Sequence, residues 1–298
     1  MDLKTSPENL VDLFATYKLC QSLDMTSPEI FHSPIGEVAF FLRKGRKKQE
    51  NEDSLLITTV GDHTLLLAVA DGVGGHANGA DASKIATDTL SEIIHHRSKD
   101  EPKIRNLVLD AFEEINEKIV SNFDEAATTL IVAEISNQSV RFYLAGDSVA
   151  LIASARGRLK YRIYGHNPVD YGILAGIWDD SNYDPMNTRH IVLSVLGSED
   201  MQVITSSSLT LSLHDTLVIG SDGLFDNLPP REIAKILGGK DILQISTQLK
   251  DRVISRMESN DKEYSKEDDL SFIVFRPKKS FQLSDVEDIS SSQPSERK

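Results

Sequence analysis

Acidic residues recur where an apolar run meets a turn. Asp71 follows residues 65–70, Asp147 follows 142–146, Asp222 follows 217–221, and Asp268 stands just before 270–274. Glu52 and Asp53 precede a further apolar segment at 55–58. One aspartate at such a place is ordinarily a turn residue or a helix cap. Five beside the most apolar stretches of one chain imply more. If the strands pack, their ends converge, and like charges then repel unless a cation holds them. Oxygen-only donors suit hard divalent cations such as Mg2+ and Mn2+. Zinc fits less well: the single cysteine, Cys20, cannot form a cluster, and His76, His95, His96, His166 and His190 lack a paired spacing.

Strands and helices must position these acids, and their signals come in a definite order. Residues 64–70 form a branched, apolar run; after a glycine-rich turn, Ile85, Ala86, Leu90, Ile93 and Ile94 fall on one helical face. Ile104, Leu107, Val108, Ala111, Phe112, Ile115 and Ile119 follow the helical period again. Strand patterns return at 129–135, 140–144, 159–164 and 216–219, helices at 231–237 and 242–257, and a last strand at 270–275. Helices in pairs between groups of strands suit an α+β layered domain with antiparallel sheets, not a strictly alternating parallel sheet. Residues 7–19 are expected to hold a short helix within an N-terminal extension at 1–30, and 278–298 to be a polar, disordered tail. Gly72-Val73-Gly74-Gly75-His76-Ala77 imitates a dinucleotide-binding turn, but the acids about 20 positions on, near Asp88 and Glu92, fall inside a helix where no ribose contact is made.

Bulk properties narrow the class. The 298 residues carry 32 basic and 46 acidic side chains, a net charge of −14, which speaks against broad nucleic-acid binding. Hydrophobic residues make up 40%, yet no run approaches the ~20 residues of a membrane span, and the first residues lack a signal-peptide pattern. A cytoplasmic, monomeric protein with no membrane or nucleic-acid partner is the expectation.

With these residues assembled, the chain resembles the PPM (type 2C) family of metal-dependent protein phosphatases, in its bacterial form. The likeness rests on blocks in the family's order: Asn51-Glu52-Asp53, then 69–76 with its Asp71-Gly72-Val73-Gly74-Gly75, then Gly146-Asp147-Ser148, then Ser221-Asp222-Gly223-Leu224-Phe225-Asp226, and Asp268-Asp269. Thr128-Thr129 resembles the family's paired threonines. The resemblance covers about residues 35–277. It implies a four-layer α-β-β-α sandwich, two antiparallel sheets flanked by helices, with a catalytic domain at 31–277. It also implies a protein serine/threonine phosphatase using two or three Mn2+ or Mg2+ ions, with Asp71 bridging, the Gly72 carbonyl as backbone ligand, and Asp53, Asp222 and Asp268 as further ligands. Glu52 would act through water, and Asp147 and Asp226 would hold a third ion, although a turn or helix-capping role for Asp226 stays open. Hydrolysis would proceed by in-line attack of a metal-bridging hydroxide without a phosphoenzyme, leaving Cys20 no catalytic part.

The pattern departs from the family in places. Lys48 stands where a phosphate-gripping arginine is usual, so it is the expected substrate contact, with Arg46 as a substitute. Val73 replaces the histidine that some members use as general acid, and Asp269 stands where asparagine is common. Residues 164–189 lie where members carry a flap over the site, and Trp178 there is expected to pack. The expected partner is a phosphorylated protein, opposing a Ser/Thr kinase. A phosphatase-like module that binds without hydrolysing and a phosphatase of small metabolites remain alternatives; loss of a core aspartate would favour the former, and none is lost.

Overall fold

The computed structural model describes residues 17–73, 78–98, 103–136, 138–177, 192–259 and 265–278. In chain order the elements are β1 (Tyr17–Gln21), β2 (Glu29–His32), β3 (Gly36–Arg43), β4 (Asp53–Val60), β5 (Thr64–Asp71), α1 (Gly79–Arg97), α2 (Ile104–Asn122), β6 (Leu130–Ser136), β7 (Ser139–Ala145), β8 (Val149–Ala153) and β9 (Leu159–Arg162). Then follow α3 (Pro168–Leu174), β10 (Ile204–Thr205), β11 (Leu209–Thr210), β12 (Thr216–Gly220), α4 (Asp222–Phe225), α5 (Pro230–Leu237), α6 (Ile242–Met257) and β13 (Leu270–Pro277).

The strands form two antiparallel sheets. One runs β1-β4-β5-β6-β7, with β10 and β11 both paired to β7; the other runs β2-β3-β13-β12-β8-β9. Strand alternation explains how they stack. In β4 and β5, Leu55, Ile57, Leu65, Leu67 and Val69 point into the space between the sheets. Leu56, Leu66, Ala68 and Ala70 point the other way, against α1 and α2. In the second sheet Ala39, Phe41, Phe272 and Val274 meet α5 and α6. Three apolar spaces separate four layers, so central strands are apolar on both faces, and each buried side chain such as Phe112 contributes about 2–3 kcal/mol of transfer energy. The four-layer sandwich is thus borne out, and α2 buries the face its periodicity marks: Leu107, Val108, Ala111, Phe112, Ile115 and Ile119.

Sequence patterns alone miss several strands. Tyr17–Gln21 pairs with β4 as an edge strand, so the end of the expected helix at 7–19 is extended; residues 7–16 lie outside those described. Its burial is one-sided and broken, which hides a period of two. The strand draws on residues assigned by sequence to an extension. β2, β3 and β8 are also additional, while β10 and β11 are too short to leave a pattern.

What positions the site is the way the chain changes sheets. The start of β4, the end of β5 and the end of β7 share one edge of the first sheet. The end of β3, the start of β8, the end of β12 and the start of β13 share one edge of the second. The β3–β4 and β7–β8 connections cross between the sheets at that same end. Among the described residues no helix is long and apolar enough to cross a membrane.

Candidate metal centre

Asp53 opens β4 and Asp71 closes β5, and the two face each other across the ladder. Asp53 is 1% exposed, and neither carboxylate oxygen has a hydrogen-bond partner. Burial pushes its carboxyl well above the usual carboxylate range and the Asp269 charge adds to this; the Ser271 and Ser221 hydroxyls face it and offset part of the cost without closing a bond. Burial likewise pushes Asp71 well up, reinforced by Asp53, Asp222, Asp268 and Asp147. Asp147, in the β7–β8 crossing, is pushed up to about 8 by burial and by Asp222 and Asp226, against the opposing Lys266 ammonium. Acids from five separate loops therefore feel one another, as the strand ends predict.

The backbone under this cluster is tightly fixed. The Asp71 carbonyl accepts from Thr129 N–H at 2.8 Å and from the Thr128 hydroxyl at 2.9 Å. Thr129 Oγ1 lies 2.7 Å from Ser148 Oγ, tying β6 to the Asp147 turn. A Cβ at Gly72 would sit 2.4 Å from the Gly79 carbonyl oxygen, so α1 can approach Asp71 only over a glycine. Gly146 takes φ +113°, and a Cβ there would lie 2.5 Å from Thr129 Cβ. Buried His166 braces the same turn: Gly146 N–H donates to its Nδ1 at 3.2 Å, and burial holds the ring below its usual range, hence neutral. His166 also meets the Tyr171 ring edge-on, joining α3 to the turn. Only residues 164–177 of the expected flap are described; Trp178, His190 and His76 lie outside.

Asp269 is not a spare acid. Its Oδ1 accepts from Gly45 N–H at 2.7 Å and its Oδ2 from Glu52 N–H at 2.8 Å, so it spans the basic loop that leads into β4. That loop directs Lys48 inward: its Nζ bonds Glu52 and lies 3.4 Å from Asp268 Oδ1. Burial alone would lower the Lys48 pKa, but Glu52, Asp268 and Asp269 outweigh it and hold the ammonium charged. Arg46 goes elsewhere, to the rim, where it pairs with Glu258 at 3.3 Å and is 58% exposed.

Lys266 is the residue that sequence does not point to. Its ammonium bonds Asp222 and lies 3.3 Å from both Asp226 and Asp268, and these charges hold its pKa raised despite burial. No motif marks it; its position two residues before Asp268 is the sole signal. Among the described residues no three acid, imidazole or thiol groups are drawn into a metal-holding arrangement. The donor chemistry nevertheless fits hard divalent cations, since all donors are oxygens and neither oxygen of the buried Asp53 carboxylate closes a hydrogen bond.

A layered β-sandwich bearing a converged acid cluster at one end is the build of a metal-dependent hydrolase. Comparison with known proteins makes the class specific. The family model for protein phosphatase 2C matches residues 43–253, and the chain belongs to that family. It is a metal-dependent protein phosphatase. A serine/threonine phosphatase, stp, from Listeria monocytogenes is 27% identical over 241 residues, covering 78% of this chain and 92% of its own. Among solved structures, the serine/threonine phosphatase Stp1 from Staphylococcus aureus superposes with a TM-score of 0.71 at 24% identity, over 87% of this chain and 100% of that one. The catalytic domain of the serine/threonine phosphatase PstP, solved with two manganese ions, gives 0.64 at 20% identity, over 82% and 99%.

Proposed function

We propose that the chain hydrolyses phosphoserine and phosphothreonine in proteins with two divalent cations, Mn2+ or Mg2+, held by Asp53, Asp71, the Gly72 carbonyl, Asp222 and Asp268, with Glu52 behind them through water. The observation that carries this reading is the buried Asp53 carboxylate, opposed to Asp71 and with neither oxygen in a closed hydrogen bond. Such a group is costly unless a cation meets it. Cations bound there lower the pKa of a coordinated water and offset charge on the phosphoryl oxygens.

The chain's own groups do the rest. Lys48 stands beside the cluster as a point charge for the phosphate, without the fork of a guanidinium. Asp269 holds the loop that aims it. Val73 has no proton to give, so the residue after Gly72 does not protonate the leaving alkoxide. Arg46, on the rim, is suited to the peptide around the phosphorylated residue. The exposed Leu174 at the end of α3 and Ile177 just beyond it, 62% and 71% accessible, offer an apolar contact for the same peptide. Cys20 takes no part: it lies in the intersheet core and burial pushes its thiol up to about 11, which leaves no thiolate nucleophile. The expected setting is the cytoplasm, opposing a Ser/Thr kinase, with residues 31–277 and the β1 edge strand as the catalytic unit.

Phosphate release from a phosphothreonine peptide tests the reading, with Mn2+, with Mg2+ and with EDTA. Release that needs metal, stops with EDTA and is lost in Asp71→Asn is the expected result. Undiminished turnover by Asp71→Asn with metal supplied would overturn it.

A further inference from the structure

The end of the sandwich opposite the acid cluster is not closed. The turns after β2 and β4, Gln138 and the end of β13 meet there, around a pocket of about 240 Å3. Its inner wall is apolar: Ile135 and Phe275 reach it from opposite sheets, joined by Ile35 and Pro277. The walls are fixed by their surroundings. A Cβ at Gly36 would lie 2.3 Å from the Phe275 ring, so the ring rests directly on the backbone of β3. Ser33 Oγ donates to the Gly36 carbonyl at 2.9 Å, and Lys278 N–H donates to the Ile35 carbonyl at 3.0 Å, which ties the β2–β3 turn to the end of β13. The Gln138 carbonyl accepts from Leu211 N–H at 2.7 Å. The three polar residues of the lining, His63, Gln138 and Lys278, are exposed and mark the mouth.

We propose that this pocket binds a small organic carboxylate, its apolar body held between the sheets and its charged end at the mouth. Size sets the body. An apolar cavity of ~150 Å3 admits benzene, so about 240 Å3 admits roughly ten heavy atoms, a ring with a short side chain. Preformed apolar walls with a few polar groups at one end are the usual build of a small-molecule site. Charge sets the head group. In a chain of net charge −14, no acid among the described residues lines the pocket, and its one permanent charge is the Lys278 ammonium. Lys278 pairs with Glu37 at 3.3 Å, but both side chains are close to half exposed, and such a pair holds little. The ammonium can therefore turn to a ligand carboxylate, with N–H groups of the Gln138 amide and the His63 ring beside it. The Phe275 ring offers an aromatic body an offset or edge-on contact. The strands β4, β5, β6 and β13 run their whole length between this pocket and the acid cluster, and the two sites share no residue.

The test is a calorimetric titration of the full chain with 3-phenylpropanoate, in EDTA so that no cation draws the carboxylate to the metal centre. The comparison ligand is 3-phenylpropanamide, of the same shape and uncharged. The wild type is expected to bind the acid with a Kd on the order of 0.1–1 mM and the amide about tenfold more weakly. Lys278→Gln is expected to erase that preference. Ile35→Trp, which fills the pocket from its half-buried rim, is expected to bind neither ligand. No binding of the acid by the wild type up to about ten times that Kd would overturn the proposal. Equal binding of acid and amide by the wild type would do the same, as would unchanged binding by Ile35→Trp. If Ile35→Trp does not fold, Lys278→Gln, altered at an exposed position, still decides: an acid preference that survives in it overturns the assignment. Each outcome stands whether or not the chain hydrolyses phosphate.

Discussion

Replacing Asp53 by Asn keeps the shape of the side chain and removes its charge, and the two forms of the protein are expected to respond in opposite directions. In the metal-free form the Asp53 carboxylate is buried, unpartnered and opposite Asp71. Opposed side chains on an antiparallel ladder stand about 5 Å apart. Two charges at that distance, screened by an effective dielectric near 20, repel by about 3 kcal/mol. Part of this is already relieved, because burial raises both carboxyls well above the ordinary range and each takes up a proton more readily. A net gain of about 2 kcal/mol for Asp53→Asn in EDTA remains, or roughly 4–8 °C in Tm for a domain of this size. The sign with pH follows from linkage. A carboxyl raised above its unfolded value of 3.8 favours the folded state below that value and loses the advantage as pH rises. The gain from Asn is therefore expected to be larger at pH 8.5 than at pH 5.5. With saturating Mn2+ the order reverses, since ligand at a hundred times its Kd stabilises the wild type by about 2.7 kcal/mol and the variant loses most of that. Thermal melts in EDTA and in Mn2+ at both pH values read all four quantities. A variant less stable than the wild type in EDTA at pH 8.5 would refute the reasoning, because it would show the carboxylate to be satisfied in the metal-free protein.

Three further outcomes are expected. Asp269→Ala removes two charge-assisted bonds, to Gly45 and Glu52, and should cost about 2 kcal/mol in urea denaturation while raising KM for phosphopeptide more than it lowers kcat; an unchanged KM would remove Asp269 from the placement of Lys48. Gly146→Ala meets both the φ of +113° and Thr129, and should destabilise by about 2–4 kcal/mol with loss of activity; a stable, active variant would show the turn to be replaceable. Asp147, raised to about 8, should make the metal-free protein lose stability as pH climbs from 4 toward 8, and Asp147→Asn should flatten that slope, as seen in melts across the range.

Sequence and structure agree most where the chemistry leaves compact signals. Acids placed after apolar runs mark the cluster because a strand must end to present them, and the periodicity of α2 is visible because only one of its faces meets the sheet. The missing strands are those with weaker alternation. Tyr17–Gln21 is half-exposed along an edge, and Val149–Ala153 is buried on both faces and only five residues long. Side-chain destinations are harder still. Arg46 and Lys48 are two residues apart in one basic run, yet one pairs outward with Glu258 and the other inward with Glu52, a split set by the Asp269 bonds from 224 and 217 residues away. Lys266 has no signature because its place depends on Asn227, a contact 39 residues distant.

The insertion of β13 between β3 and β12 has a consequence for the order of events during synthesis. Arg43 pairs with Leu270, so the second sheet stays split until some 230 further residues have been made. At about 5–20 residues per second that is a wait of roughly 10–50 seconds during which the edge of β3 lies open, whereas β12, made about 50 residues before β13, waits roughly 3–10 seconds. Asp268 and Lys266 arrive just ahead of that last strand. A growing chain accordingly carries an incomplete acid cluster until β13 closes the second sheet.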